Sequence, residues 1–409
     1  MVFNCSELGG LCSCGKEHTI MTRKAIIEGG CMDHFEEYMK AEGFTGRRAV
    51  VYDSNTYSFS PHLQADLEIV LPAKGLRTTK EWGESLLAQL QGLEVVVAVG
   101  SGTVMDICRY CAWKMDIPLV VCATVASMDG FCANVLSIIM DGHKYSLTTV
   151  APSLVIADLN IIRNAPLFLS VSGICDILAK YTSLADWRIA HLVTGEYYCE
   201  KIAALAEDAA VSVMESCEGL LHGDLNAYEK MTYAQMLSGA TMQLIGNSRP
   251  ASGAEHLVAH LLEMKPPGFP ECTLMHGQAV GIGTILTARK YHQLAKMTPT
   301  AKPFVPVDET EIRQQFGHLA GNVLKANVDD VLGTFDSQLI VDHWTEICDI
   351  IATIPTEETY VELYRKLGAP TSLTDAGLSE DNWEEIFTMS AAIRNRLTLN
   401  RMCRVLDFH

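Results

Sequence analysis

No apolar run in this chain approaches the unbroken length needed to cross a membrane. Its start, MVFNCSELGG, lacks the basic flank and apolar stretch of a secretion signal. Basic charge is also short: 31 Lys and Arg stand against 49 Asp and Glu, giving a net charge of −18. That balance argues against a nucleic-acid backbone or an anionic membrane as partner. It leaves a small anionic substrate open, because a pocket's local potential can oppose the overall charge. Internal repeats and low-complexity linkers are missing too. What is present is a chain of 409 residues, 48% hydrophobic and 20% charged, long enough for two ordinary domains and expected in the cytoplasm.

The 14 cysteines mostly stand singly inside apolar segments, as Cys108, Cys111, Cys122 and Cys132 do. Such residues behave as small buried hydrophobes in a reducing compartment. One cluster differs. CSCG at Cys12 to Gly15, followed by His18, carries metal-ligand residue types, although no second knuckle follows to make the usual four-ligand pair.

Short β-branched runs alternate with helical stretches up to residue 162. The runs fall at 47–53, 67–73, 94–100, 118–124 and 153–159, with helical text such as EWGESLLAQLQ and TVMDICRYCAWKMD between them. Continuous Val/Ile runs spaced by helices predict a parallel sheet buried on both faces. Within 136–150, Asp141-Gly142 between two extended runs predicts a hairpin. After 162 the pattern turns helical. The expected division is an N-terminal tail (1–20), a Rossmann-like α/β domain (21–162) and an all-α domain (163–409), with ligands bound between the last two.

EVVVAVGSGTVMDICRY reads as strand, glycine turn and helix. Gly100 and Gly102 let the backbone approach a ligand, and Thr103 helps present N–H groups to a pyrophosphate. The third glycine of a full fingerprint is replaced by Met105, and a tight strand-to-helix turn also wants glycine. Asp53 ends an earlier strand, where a carboxylate can accept from a ribose, and ATVASMDG follows another. Together these favour a nicotinamide dinucleotide.

In SGAEHLVAHLLEM, His256 and His260 stand four apart and so share a helix face. The metalloprotease spacing is absent. His276 precedes glycines at 277, 281 and 283, which allow close helix packing. Asp176 and Lys180 share a face of an apolar helix, where a buried carboxylate needs either that lysine or a cation. From the residues alone, core histidines and a salt bridge stay open beside a metal site.

GSGTVMD, SMDG, DxxxKYTSLADW, RPASGAEHLVAH and MHG, in this order, resemble the sn-glycerol-1-phosphate dehydrogenase family. That family belongs with dehydroquinate synthase, glycerol dehydrogenase and iron-type alcohol dehydrogenase. The resemblance implies a dehydroquinate synthase-like fold and hydride transfer between NAD(P) and dihydroxyacetone phosphate. It implies one divalent metal, zinc, nickel or iron, on Asp176, His256 and His276. Asp129, Asp176 and His260 would touch the phosphorylated polyol, with Asp176 and His260 catalytic. Asp53, Gly102, Thr103, Val104, Met105, Asp106, Thr124 and Ser127 would contact the cofactor. A homodimer or larger homo-oligomer is implied as well. The alternatives are a glycerol dehydrogenase, or a dehydroquinate synthase-like lyase, whose family usually carries glutamate at the place of Asp176. One departure stands out: Phe131, Cys132 and Ala133 follow SMDG where the family tends to carry hydroxyls, so Ala133 cannot supply an expected cofactor hydrogen bond.

Overall fold

The computed structural model describes all 409 residues, apart from the side chain of His143. Contacts divide the chain into two compact units: 1–177 with 204–248, and 178–203 with 249–409.

The first unit is built on a seven-stranded sheet. Its strands in chain order are β1 (Val2–Phe3), β2 (Lys24–Glu28), β3 (Arg48–Asp53), β4 (Leu67–Leu71), β5 (Val95–Gly100), β6 (Leu119–Ala123) and β7 (Leu154–Asp158). In space they run β1-β2-β7-β6-β5-β3-β4, all parallel except β1. Strands β3, β5, β6 and β7 are buried at every residue, the reason their sequences do not alternate. Strand β4 closes one edge and alternates, with Ile69 and Leu71 turned to the core. Strand order reverses between β3 and β5, so the carboxyl ends carrying Asp53 and Gly100 flank a switch point, where such sheets take their ligands. The expected hairpin pairs Val135–Met140 with His143–Thr148. Its two turn residues, Asp141 and Gly142, have φ of 50° and 73°, which the Asp-Gly pair tolerates.

Several strands lay outside the sequence reading, β2 among them. Residues 1–20, expected as a tail, place β1 on the edge of the sheet beside β2. A small hairpin, Gly10–Leu11 with Glu17–His18, follows. After β7 the chain is helical except for the antiparallel pair Pro299–Ala301 with Leu406–Phe408, so the region expected to be all-α carries a small two-stranded sheet. Compactness follows a different line, because most of α3 (Leu167–Leu178) and the segment 204–248 pack with the sheet.

The second unit is mainly helical. The stretch Leu167–Thr194, which begins in the first unit and continues into the second, has the length and apolarity to cross a membrane, but 78% of its apolar window is buried inside the protein, as in a core helix. It comprises α3 and α4 (Lys180–Thr194), and Asp176, Lys180 and Asp186 interrupt it.

Candidate active site

Strand β5 turns at Ser101 into α2 (Gly102–Met115). The first N–H groups of that helix have no intrahelical partner, an arrangement whose dipole and free donors favour negative charge. Gly102 matters for access: a Cβ there would stand 2.5 Å from Cε of Met128, a flexible side chain that covers the turn. Thr103 and Ser127 are half-buried, and Thr124 is buried with its N–H on Gly100 O at 3.2 Å. Val104 and Met105 are buried, and the Val104 side chain packs against Gly100 at the turn.

Two carboxylates of the expected cofactor set have internal partners. Asp53 caps α1 (Ser54–Phe59): Oδ1 accepts from Asn55 N (2.8 Å) and Thr56 N (3.0 Å), and Oδ2 from Thr56 Oγ1 (2.9 Å). Asp106 accepts from Arg109 Nη1 at 2.8 Å. Burial pushes the Asp106 carboxyl up to about 6, against the lowering pull of Arg109. Phe131, Cys132 and Ala133, which stand where hydroxyls were expected, are fully packed.

The SMDG loop brings the two expected substrate carboxylates together. Asp129 N donates to Asp176 Oδ2 on α3 at 3.0 Å. Ser238, on α5 (Leu225–Ile245), donates to Asp129 Oδ2 at 2.9 Å. Glycines permit this approach. A Cβ at Gly173 would stand 2.2 Å from Ala126 O, and one at Gly239 2.8 Å from Ala133 N.

In the second unit, α6 (Ala254–Met264) and α7 (His276–Leu294) collect the three imidazoles. Ring centroids lie 6.1 Å apart for His256 and His260, 5.6 Å for His256 and His276, and 5.7 Å for His260 and His276. A Cβ at Gly283 would come within 2.2 Å of Glu255 O, so α7 can approach α6 only through a glycine there. His256 Nδ1 lies 2.8 Å from Glu255 Oε1, and His276 Nδ1 lies 2.8 Å from Glu263 Oε1. A carboxylate only accepts, so each Nδ1 carries a proton, and the neutral tautomer of each ring would keep its lone pair on Nε2. That is how metal-ligating histidines are held.

Glu255 is itself held by Gly253 N (2.6 Å) and Thr182 Oγ1 (2.7 Å). Burial pushes its carboxyl up, but these hydrogen bonds and His256 bring it below the usual range. Fully buried Asp186 locks the start of α6 to its neighbours. It accepts from Ala254 N (2.8 Å), Tyr291 Oη (2.7 Å) and Leu399 N (2.8 Å). Lys180, weighed above as a partner for Asp176, is fully buried and donates to Ala251 O at 3.4 Å. Ligand atoms of His260, Glu263 and His276 also lie within 4.8 Å of one another, so His260 belongs to the same cluster.

Sequence reasoning missed Glu255, Glu263 and Asp186, and it missed a group of arginines. Arg396 donates to Ser252 O, and Arg249 pairs with Glu196 and donates to Leu397 O at 2.8 Å. Burial and the Arg249 and Arg394 charges push Arg396 down to about 9. The carboxylates of Glu255 and Glu196 oppose that push. The signal was an Arg-x-Arg pair in the otherwise uncharged text AAIRNRLTL.

Comparison with known proteins adds a family. The iron-containing alcohol dehydrogenase family matches residues 26–166. A Bacillus licheniformis protein named glycerol-1-phosphate dehydrogenase (NAD(P)+) is 31% identical over 299 residues, which cover 70% of this chain and 74% of that one. The chain belongs to the glycerol-1-phosphate dehydrogenase family. A relative of the same name from Halalkalibacterium halodurans is 28% identical over 95% of this chain and 94% of its own. The fold agrees. A solved structure of a probable glycerol dehydrogenase from Sinorhizobium meliloti superposes with a TM-score of 0.62 at 18% identity, covering 93% of this chain and 91% of that one. Both glycerol-1-phosphate dehydrogenase relatives carry NAD(P) in their names.

Proposed function

We propose that this chain interconverts dihydroxyacetone phosphate and sn-glycerol 1-phosphate with a nicotinamide dinucleotide and one divalent metal. The observation that carries the reading is the imidazole cluster, with Nδ1 of His256 and of His276 each held by a carboxylate. This donor set fits a cation: His256 and His276 offer Nε2, and Asp176 would complete two nitrogens and one oxygen, a set that zinc, nickel and iron accept. When bound, the ion would polarise the substrate carbonyl and the nicotinamide would supply hydride.

The chain's own groups do the rest. Glu255 and Glu263 fix ring orientation and tautomer. Asp129, held by Ser238, and Asp176 accept from the substrate hydroxyls. His260 is buried beside His276 and moves the proton to the developing alcohol, since imidazole titrates near neutrality. Arg396, with Arg249 and Arg394 nearby, binds the phosphate. This arginine group favours a phosphorylated substrate over glycerol.

The test is NADH oxidation by metal-loaded protein with dihydroxyacetone phosphate against dihydroxyacetone. The phosphorylated ketone is expected to be strongly preferred, and equal rates would reject the assignment. Arg396→Met should lower kcat/KM for dihydroxyacetone phosphate about 10- to 100-fold, the worth of a charge-assisted contact, with metal content unchanged. Its small activity on dihydroxyacetone should barely move.

Asp53 disfavours a 2′-phosphate through its charge, which selects NAD. Asp53→Ser keeps an α1 cap while removing that charge. The NADP-to-NAD ratio of kcat/KM is expected to rise about tenfold, roughly 1.4 kcal/mol. Steady-state kinetics with both cofactors measures it.

A further inference from the structure

We propose a second metal site, in the N-terminal segment of the first unit, where Cys12, Cys14 and His18 bind a zinc-type divalent cation as two thiolates and one imidazole. One ligand atom from each lies within 4.8 Å of the others. Cys14 Sγ stands 3.3 Å from His18 Nε2. That is near the edge of ~3.5 Å that zinc–sulfur and zinc–nitrogen bonds of about 2.3 and 2.0 Å give a tetrahedron.

The site is built by its backbone. The hairpin Gly10–Leu11 with Glu17–His18 brings His18 back over the CSCG turn. Cys12 N donates to Lys16 O and Gly15 N to Cys12 O, both at 2.9 Å. Gly15, with φ of +84°, makes a turn that L side chains rarely adopt. Cys12 and His18 are buried. His18 Nδ1 donates to Leu244 O at 2.7 Å, which fixes the tautomer and aims the Nε2 lone pair towards the thiols. This is the orienting arrangement seen at His256 and His276, with a carbonyl in place of a carboxylate. The donor chemistry differs, however. Two sulfurs select a softer cation than the nitrogen and oxygen set of the proposed catalytic site. Binding releases the two thiol protons, and a further donor completes the fourth position.

The location indicates a staple rather than a catalytic role. Leu244 lies near the C-terminal end of α5, and neighbouring Gln243 accepts from Met21 N at 2.7 Å. The metal would therefore fasten the 10–22 segment to the helix whose Ser238 holds Asp129.

The test is metal analysis of zinc-loaded full-length protein, wild type against C12S/C14S and H256A, combined with mass-spectrometric mapping of cysteine alkylation before and after chelation. Two equivalents of zinc are expected in wild type and one in each variant. C12S/C14S should keep its NADH oxidation within about threefold at low temperature and melt earlier. In wild type, Cys12 and Cys14 should alkylate only after chelation, and any third cysteine protected with them is the fourth donor. If C12S/C14S does not fold, the alkylation pattern decides alone. Equal alkylation with and without chelator, or unchanged zinc in C12S/C14S, overturns the proposal. A wild type holding one equivalent that C12S/C14S loses upholds this site and instead sinks the catalytic-metal reading.

Discussion

His256→Ala strips the catalytic divalent metal and lowers turnover by ~10³-fold or more, whereas His260→Ala keeps the metal and loses ~10²-fold in kcat. The two rings sit one turn apart on α6 and are equally buried, so burial does not separate them. Their surroundings do. His256 Nδ1 is fixed by Glu255, which Gly253 N and Thr182 hold in turn, a chain that leaves Nε2 ready for a cation. His260 instead stacks on His276, with the rings 16° from parallel, where it can serve a proton transfer. Because His260, Glu263 and His276 also approach one another, a ligand set without His256 is the competing arrangement. Metal analysis and single-turnover rates on both variants distinguish them. Equal metal loss would reject the division of roles.

Arg109→Ala costs about 3–5 kcal/mol of stability, the usual penalty for stranding a buried charge. Arg109 is fully buried. It donates to Asp106 Oδ1 (2.8 Å), Val135 O (2.7 Å) and Gly130 O (2.8 Å), so it ties α2 to the end of the SMDG loop and to the hairpin. Removing it leaves a buried carboxylate and two carbonyls to be satisfied. The pH dependence follows from Asp106. Its folded pKa, about 6, lies above the 3.8 of an ordinary aspartate. Its contribution to stability is therefore complete below about 4 and lost as pH rises through 6. Without Arg109 that pKa rises further, so the variant should be destabilised more at pH 8 than at pH 5. Urea denaturation at the two pH values measures the difference, and equal losses would contradict it.

The parallel sheet was legible because strands buried on both faces must be written as continuous Val and Ile, as at 95–100 and 119–123. The hairpin was legible because only a few residues tolerate the positive φ found at Asp141 and Gly142. Strands β1 and β2 escaped notice. One is two residues long, and the other pairs with strands distant in sequence, β7 among them, so local pattern says little about either. At the site, the histidines stood out by residue type, but Glu255 and Glu263 read as ordinary helix charges. Only the fold shows that Glu255 is buried beside one imidazole and that Glu263 faces another across two helices. Asp53 and Asp106 show the converse. Both were expected to contact the cofactor, while the partners that the structure gives them, the start of α1 and Arg109, needed coordinates.

The most direct measurement is chiral analysis of the alcohol formed from dihydroxyacetone phosphate and NADH by the metal-loaded protein. The expected product is sn-glycerol 1-phosphate, formed only when the divalent metal is present. Formation of sn-glycerol 3-phosphate, or the same rate after complete chelation, would contradict the assignment.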